Sequence, residues 1–264
     1  RALEGIIRHA RTVNPLMNIV LMAFADEDKI KDYKNGKTPA EVALHDQMAK
    51  YYQLSFLNLS EEVQQRIANG EFSWKDDFKD VHPSPFGQEI YFQTIKTLLK
   101  SADHTYKNEK PEAVELPTAK YNAPYNQGQY AGVDEAGALH GFALNANWQP
   151  TDGAGTRRGF VNVPVLETDK AGATLSFTFT GNAVGIAVVA GPDAGTIKFT
   201  VDGKPGGTID LFTEWSGGLH LPWYLVLADN LAAGTHHLTV EVVTDKNKNS
   251  KGNACRIVHF LVNQ

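Results

Sequence analysis

The second half of the chain constrains the fold most strongly, because it contains six short runs of the kind that form β-strands. The runs alternate in polarity or are rich in β-branched residues, and turn signals such as Gly181-Asn182 and Asp202-Gly203 separate them. Strands of this length and spacing are typical of an antiparallel sandwich. We therefore predict an all-β antiparallel sandwich, of the jelly-roll kind, over residues 137–264, with Asp202-Gly203 as its clearest hairpin and the polar tract Thr244–Gly252 as a solvated hairpin loop. The predicted strands are Thr174–Thr180, Val184–Ala190, Thr196–Val201, His220–Leu227, His236–Val243 and Ala254–Val262.

The first hundred residues show a different pattern, in which amphipathic helices alternate with short apolar runs. Met17–Phe24 is almost continuously apolar, as expected of a strand that is buried on both faces of a parallel sheet. The charged segment Ala25–Lys37 is predicted to be a loop at the carboxyl end of that strand, where ligands approach open α/β sheets. Thr38-Pro39-Ala40-Glu41 has the pattern of a capping box with proline at the first helical position. The other predicted elements are a helix over Arg1–Thr12, a strand over Leu54–Leu59 and a helix that Ser60 caps and that ends near Asn69.

This order of elements indicates an α/β domain over residues 1–100, but it supplies too few strands. Two parallel strands cannot bury the apolar faces of the helices that accompany them. A covered sheet needs further strands, so we expect residues 1–100 to be the C-terminal part of a domain. The upstream part of the same domain is then the partner of this chain.

Residues 101–136 follow neither pattern. Proline recurs at Pro111, Pro117 and Pro124, and asparagine, glutamine and tyrosine lie around them. This composition predicts an extended linker between the two domains. Its tyrosines, at positions 121, 125 and 130, indicate that it adheres to a surface and holds the sandwich in a fixed interface with the first domain; stacking on sugars is the alternative interpretation.

Charge and cysteine content exclude several classes of function. The net charge of -5 gives no basic surface for nucleic acid, and no run approaches the ~18 apolar residues that a membrane span needs. The single Cys255 excludes an intrachain disulfide and a site built from several cysteines, and its apolar surroundings indicate a core thiol. We expect no metal site and no cofactor.

The segment DFKDVHPSPFGQEIYF, residues 77–92, is the strongest candidate for chemistry. His82 lies on a loop that Pro83 and Pro85 stiffen, directly before an amphipathic helix, and Asp80 lies two residues before His82. A histidine held on a rigid loop at the edge of a domain can reach a substrate as a general base. A buried or capping histidine is the alternative interpretation.

These residues resemble the last conserved block of the SGNH/GDSL hydrolases, a family of esterases. His82-Pro83 and Gly87 fall where that block has its His-Pro pair and its glycine, although Lys79 replaces the aspartate that usually lies three residues before the histidine. Asp80 is similar to the Asp-x-His-Pro form seen in some carbohydrate esterases. The resemblance implies a flavodoxin-like three-layer fold, of which residues 1–100 are the C-terminal part, with His82 as the catalytic base and Asp80 or a backbone carbonyl orienting its ring. The nucleophilic serine of the family belongs to a Gly-Asp-Ser motif that does not occur in this sequence, so it is expected upstream.

The sandwich resembles the β-sandwich that follows the SGNH domain in many secreted bacterial hydrolases. The resemblance is carried by the runs AGPDAGTIKFTVDG, DLFTEWSGGLHLPWY and RIVHFLVN. We assign Trp215 and Trp223 from this half, and Trp74 and Phe86 near His82, as candidate sugar-binding residues. Packing in a core or an interface is the default interpretation for each tryptophan.

Taken together, the sequence predicts the C-terminal portion of an SGNH-type serine esterase that removes acyl groups, most plausibly acetyl, from carbohydrate. The substrate would be a carbohydrate ester, and the protein would be secreted or periplasmic. The alternatives are a non-catalytic carbohydrate-binding sandwich on a hydrolase remnant, or a purely structural module.

Overall fold

The chain divides between Pro124 and Tyr125 into two units in the computed structural model, which describes all 264 residues. The first unit contains five α-helices, one turn of π-helix and a pair of parallel strands. The strands pair in register, with Leu21 opposite Phe56, and the other edge of the first strand has no strand partner. The elements are α1 (Ala2–Val13), β1 (Val20–Met22), α2 (Glu27–Lys34), α3 (Ala40–Tyr52), β2 (Ser55–Leu57), α4 (Leu59–Ala68), the π-turn (Trp74–Phe78) and α5 (Pro85–Tyr106).

Helices enclose this short sheet and form two apolar clusters. One cluster joins α1, β1 and α3 through Ile7, Leu21 and Met48, all of which are buried. The second joins α4, the π-turn and α5 around Val63 and Phe78, neither of which has any exposed surface. The helices α1, α3, α4 and α5 therefore each bury apolar side chains against their neighbours.

The structure corrects four local predictions in the first unit. The strand predicted over Met17–Phe24 is confined to β1, because its partner β2 is equally short. The predicted loop Ala25–Lys37 contains α2, whose N-cap Asp26 accepts a hydrogen bond from the Lys29 amide at 2.8 Å. Acidic residues in the first turn of α2 and lysines in its last turn interact favourably with the helix dipole and so stabilise the helix.

The other two corrections concern helix caps. Pro39 is the N-cap of α3 and makes no side-chain capping bond, so the predicted capping box does not form. Asn58, not Ser60, caps α4, and its side-chain oxygen accepts from the Glu61 amide at 3.3 Å.

The segment that follows α5 is bound to the first unit by a buried carboxylate. Glu4 is fully buried and accepts hydrogen bonds from the amides of Lys120 at 2.6 Å and Tyr121 at 2.9 Å. It also accepts from the Tyr52 hydroxyl at 2.6 Å, and burial together with this bond raises the pKa of Tyr52 to about 12. Residues 101–136 are therefore not one extended element: α5 continues beyond Ser101 to Tyr106, residues 107–124 belong to the first unit, and the rest belong to the second.

The second unit is a sandwich of two antiparallel sheets. One sheet has the order β10-β9-β12-β7-β4, and the other has the order β11-β8-β13-β6-β5, with β3 also paired to β13. The strands are β3 (Gly128–Ala131), β4 (Gly137–His140), β5 (Ala143–Asn145), β6 (Val165–Thr168), β7 (Thr174–Gly181), β8 (Ala183–Ala190), β9 (Thr196–Val201), β10 (Lys204–Asp210), β11 (Leu221–Ala228), β12 (Gly234–Val242) and β13 (Cys255–Asn263).

The core between the sheets is formed by alternate side chains of both. Phe177 of β7 stacks on Phe260 of β13 with ring centroids 4.0 Å apart, and both rings are buried. Cys255 lies in this core, as its sequence context predicts, and burial raises the pKa of its thiol to about 12. The thiol is therefore protonated at neutral pH.

The six predicted strands of the sandwich are confirmed, and so is the Asp202-Gly203 hairpin. Asp202 and Gly203 have φ angles of 52° and 74°, the left-handed pair that a two-residue turn between twisted strands requires. The tract Thr244–Gly252 is not a hairpin loop, because β12 and β13 lie in different sheets and the tract connects them. The antiparallel sandwich is thus observed, whereas the flavodoxin-like architecture of the first unit stays a prediction. None of the helices is both long enough and apolar enough to cross a membrane.

Candidate functional site

The loop that carries His82 is held at both of its ends by hydrogen bonds. On the N-terminal side, Ser73 caps the π-turn and accepts from the Asp76 amide at 3.0 Å. On the C-terminal side, Ser84 caps α5 by accepting from the Gly87 amide, and its hydroxyl donates to the Asp77 carbonyl. The loop between them is therefore anchored although its tip is exposed.

Gly87 allows the first turn of α5 to pack directly against the loop. A Cβ atom at this position would lie 2.7 Å from Cβ of Pro83 and 2.9 Å from the Phe78 ring. No side chain fits at these distances, so glycine is required for the close approach. The glycine that the sequence places after His82-Pro83 thus has a packing role.

His82 projects into solvent, and Asp80 does not hold its ring. The His82 side chain is 93% exposed and the Asp80 side chain 65% exposed. Asp80 Oδ1 accepts a hydrogen bond from the backbone amide of His82 at 2.6 Å, whereas its distance to Nδ1 of the imidazole is 3.6 Å, too long for a hydrogen bond. Asp80 therefore fixes the backbone of the loop and leaves the imidazole free to meet another group.

A cavity of about 310 Å³ lies beside this loop at the carboxyl end of β1. Val81, next to His82, lines it together with Phe24, which is half exposed. Its polar wall is formed by Lys29, which ion-pairs with Asp26 and, at 3.3 Å, with Glu41. The carboxyl end of a parallel strand is where ligands of open α/β sheets bind, so this cavity is the candidate catalytic pocket.

Of the two aromatic candidates near His82, only Phe86 is exposed. The Trp74 ring stacks on Phe78 at 4.8 Å, and its indole nitrogen donates to Glu27 at 3.3 Å. Trp74 is thus used in packing, which is the default interpretation for a tryptophan. Phe86 is 46% exposed and makes an edge contact with Phe72 at 5.2 Å.

In the sandwich, Trp215 and Trp223 are exposed by 59% and 38%, so neither is buried in the core of the sandwich. Trp215 lies in the connection between β10 and β11, where Ser216 Oγ accepts from the Thr213 amide at 3.0 Å. This turn presents the indole on the surface. Exposed tryptophans on ordered loops are a common feature of sugar-binding surfaces.

A second, polar cavity of about 180 Å³ lies at the same end of the sandwich. His220 is buried and contacts both carboxylate oxygens of Asp152 through Nε2, at 3.1 and 3.0 Å. Arg256 forms a two-point ion pair with Asp193 at 2.8 and 2.6 Å and lies over the Trp148 ring. Burial raises the pKa of Asp193, but the bonds and charge of Arg256 outweigh it and lower that pKa overall.

No motif in the sequence predicts this polar cluster. Its members come from four separate connections and strands, and only the fold brings them together. Trp148 in an otherwise polar stretch is the one signal that the sequence carries. The contact between His220 and Asp152 links the connection that presents Trp215 to the segment between β5 and β6.

Comparison with known proteins shows similarity in structure alone. No family model matches the sequence, and no curated protein matches it. Two solved structures of a two-domain esterase (CEX) active on acetylated mannans share its fold. The structure co-crystallised with mannopentaose has a TM-score of 0.71 at 17% identity, and the other structure has 0.70 at 16% identity.

Each of these similarities covers 98% of this chain but only 66% and 67% of the esterase chains. This chain therefore spans about two thirds of the length of the esterases that it resembles. At such low identity the likeness establishes a shared fold, and function has to be argued from the residues.

Proposed function

We propose that this chain is the C-terminal portion of an SGNH-type serine esterase that removes acyl groups from carbohydrate. The observation that carries the proposal is the placement of His82. Its imidazole is exposed on an anchored loop, beside a cavity at the carboxyl end of β1, in a fold shared with an esterase. A base on an exposed, anchored loop next to such a cavity can reach a bound ester, which supports the proposal.

In the proposed reaction, the hydroxyl of a serine outside this chain attacks the ester carbonyl while His82 accepts its proton. His82 then protonates the departing sugar alkoxide, which leaves the acyl group on the serine. Water attacks this acyl-serine ester while His82 accepts a proton from it, and the acid and the free serine are released. Because Asp80 is too far from Nδ1 to orient the ring, a backbone carbonyl or a group outside this chain would take that role. The mechanism requires no metal and no cofactor.

The upstream part of the same domain is the proposed partner. β1 has one unpaired edge, and large apolar side chains lie exposed around the unit, among them Ile6 at 67% and Val13 at 72%. Further strands would satisfy that edge and cover such side chains. The third of the esterase chains that has no counterpart here is large enough to supply them and the serine.

The proposed substrate is an acetylated polysaccharide. CEX, whose fold this chain shares, acts on acetylated mannans, and the exposed tryptophan of the sandwich suits a glycan. An enzyme for such a substrate would be secreted or periplasmic. A non-catalytic carbohydrate-binding protein is the second candidate function, and the exposure of Trp215 favours it.

Replacing His82 tests the proposed activity. In the longer protein, His82→Ala should reduce kcat on p-nitrophenyl acetate by about 10²–10⁴-fold, because a general base typically contributes that factor. His237→Ala is the matched control, since His237 is an exposed histidine of the sandwich whose side chain bonds to Thr178, far in sequence from the His82 loop. A His82→Ala enzyme with normal kcat would refute His82 as the base and with it the SGNH assignment, whereas a longer protein without esterase activity would leave the binding function.

Asp80 is predicted to matter much less than His82. Asp80→Asn keeps the oxygen that accepts from the His82 amide, so the loop should stay in place. The value of kcat should then fall less than tenfold, which is an increase of less than about 1.4 kcal/mol in the activation free energy. Measuring kcat against pH for the His82 and Asp80 variants separates the role of the base from that of a residue that only fixes the loop. Equal and severe losses at Asp80 and His82 would mean that the carboxylate orients the ring during catalysis.

A further inference from the structure

The outer face of the six-stranded sheet is covered at one end and bare at the other. At the covered end, Trp148 packs on Val189 and Val258 in a small buried cluster. At the other end, Tyr130 and Tyr224 are exposed by 64% and 52%. The connection between β5 and β6 approaches this end through Phe160, whose ring makes an edge contact with Tyr224 at 6.0 Å.

Strand register places small residues in the middle of the bare end and large ones on either side. In one row across the sheet, Ala187 lies between Tyr224 and His259. In the next row, Gly185 lies between Val226 and Leu261, and Tyr130 lies beside Leu261. Residues paired across strands point to the same face, so these two rows form a trough with Gly185 and Ala187 as its floor.

The floor is small for a structural reason. A Cβ atom at Gly185 would lie 2.3 Å from the carbonyl oxygen of Leu225, where β11 bulges toward β8. The glycine therefore permits the bulge and at the same time keeps the trough open.

The Tyr130 ring is held in a fixed position although most of it is exposed. One face stacks on His259, with centroids 4.7 Å apart and planes 13° from parallel. The neighbouring Tyr130 hydroxyl, and then burial, raise the pKa of Tyr224. With one face covered by His259, the other face of the Tyr130 ring is available to a ligand without further ordering of the ring.

A cavity of about 310 Å³ adjoins this ring, and no charged side chain lines it. Its wall includes Tyr130, Gly185, Val226 and Leu261 from the second row, with Asn263 at its end. The lining is largely apolar, but it includes an aromatic ring and amide groups. A neutral molecule with apolar faces and hydroxyl groups fits this chemistry, whereas an ion does not.

We propose that this trough is a second carbohydrate-binding site, in which the apolar face of a neutral sugar ring stacks on Tyr130. The proposal rests on the proposed function, since it takes the glycan to be the substrate polymer. The trough is distinct from the Trp215 loop: Leu221, where β11 begins, is five residues from Val226, about 16 Å along the strand. A polymer bound at one end of the sheet could thus engage the other.

The test measures retardation of the 264-residue chain in native gels that contain a soluble acetylated mannan. Tyr130→Ala should weaken binding about tenfold, because the stacking platform is lost, while Tyr130→Phe should keep most of it. Val226→Glu, which places a charge in the trough at an exposed strand position, should weaken binding without a change in melting temperature. Trp215→Ala separately measures how much the loop that carries Trp215 contributes to mannan binding.

Each outcome has a defined meaning. Loss of retardation in Tyr130→Ala and Val226→Glu, with melting temperatures unchanged, supports the trough. Loss only in Trp215→Ala overturns the trough and leaves the proposed function intact. A wild-type chain that is not retarded also overturns the trough, whereas the esterase proposal is decided separately by His82→Ala.

Discussion

His236 is the residue whose charge state the structure defines most clearly. Its Nδ1 lies 2.7 Å from Asp202 Oδ2, and its Nε2 lies 2.8 Å from the carbonyl oxygen of Ala232. A carbonyl and an ionised carboxylate can only accept, so both ring nitrogens donate and the imidazole is protonated. The bond to Asp202, and then that to Ala232, raise the pKa of His236, and the bond to His236 lowers the pKa of Asp202.

This pair predicts a pH dependence of stability. The contribution of His236 is complete below its ordinary pKa of 6.5 and is lost as pH rises through its raised value. The contribution of Asp202 is present above its ordinary pKa of 3.8 and is lost as pH falls through its lowered value. Stabilisation by the pair is therefore greatest between the two ordinary pKa values, 3.8 and 6.5.

Asp202→Asn tests this window, because asparagine also tolerates the φ of 52° at this turn and can still accept from the His237 amide. The melting temperature of the variant should be lower than that of the wild type near pH 5, and the difference should shrink as pH rises above 6.5 and through the raised pKa of His236. Thermal melts across the pH range measure it. A difference that is constant with pH would show that His236 is not charged in the folded protein.

For single residues, the sequence predicts where a side chain lies better than it predicts what that side chain contacts. The His82 loop and the core thiol of Cys255 follow from local context, because proline, glycine and apolar neighbours act over a few residues. The distance between Asp80 and the imidazole depends on backbone angles that sequence spacing does not specify. The polar cluster of His220 and Arg256 depends on strand pairing, so no local pattern could identify it.

Among the elements, α5 depends on the absence of a side chain at Gly87. Gly87→Ala should destabilise the first unit, because overpacking against Pro83 and Phe78 costs about 1–3 kcal/mol and the gain in helix propensity returns at most about 1 kcal/mol. A lower melting temperature of that unit is the expected result. In the longer protein the same change should lower kcat, since the His82 loop has to move.

Gly217→Ala is the matched control, because a Cβ atom there has no neighbour within 4 Å. It should melt at the wild-type temperature. If Gly87→Ala is as stable as Gly217→Ala, the packing account of the His82 loop is wrong.

Secondary structure can be predicted from this sequence where the hydrophobic pattern is strong, but not where tertiary packing determines whether a strand or helix forms. The six alternating strands of the sandwich were recognised, but β10 was missed because Pro205, Gly206 and Gly207 hide its pattern. The apolar pattern of the sequence predicts no helix over α2, because α2 buries no residue, although Asp26 and the charges at its ends are helix signals.

On the scale of the whole molecule, the two units differ in how complete their sheets are. The sandwich closes a core between two sheets of several strands, whereas the first unit has one strand pair with an open edge. The sequence predicted this shortage by counting strands. It could not predict the topology of the sandwich, because pairings such as that of β13 with β3, β6 and β8 join residues far apart in the chain.

The central claim is that His82 activates a serine that lies outside these 264 residues. The most direct measurement is labelling of the longer protein with a fluorophosphonate, in which the serine oxygen bonds to phosphorus, fluoride leaves and the base takes the proton, followed by mapping of the labelled peptide. We predict one labelled serine outside this chain, with a labelling rate that falls about 10²-fold or more in His82→Ala. A label on a serine within residues 1–264, or a rate that His82→Ala leaves unchanged, would contradict the account.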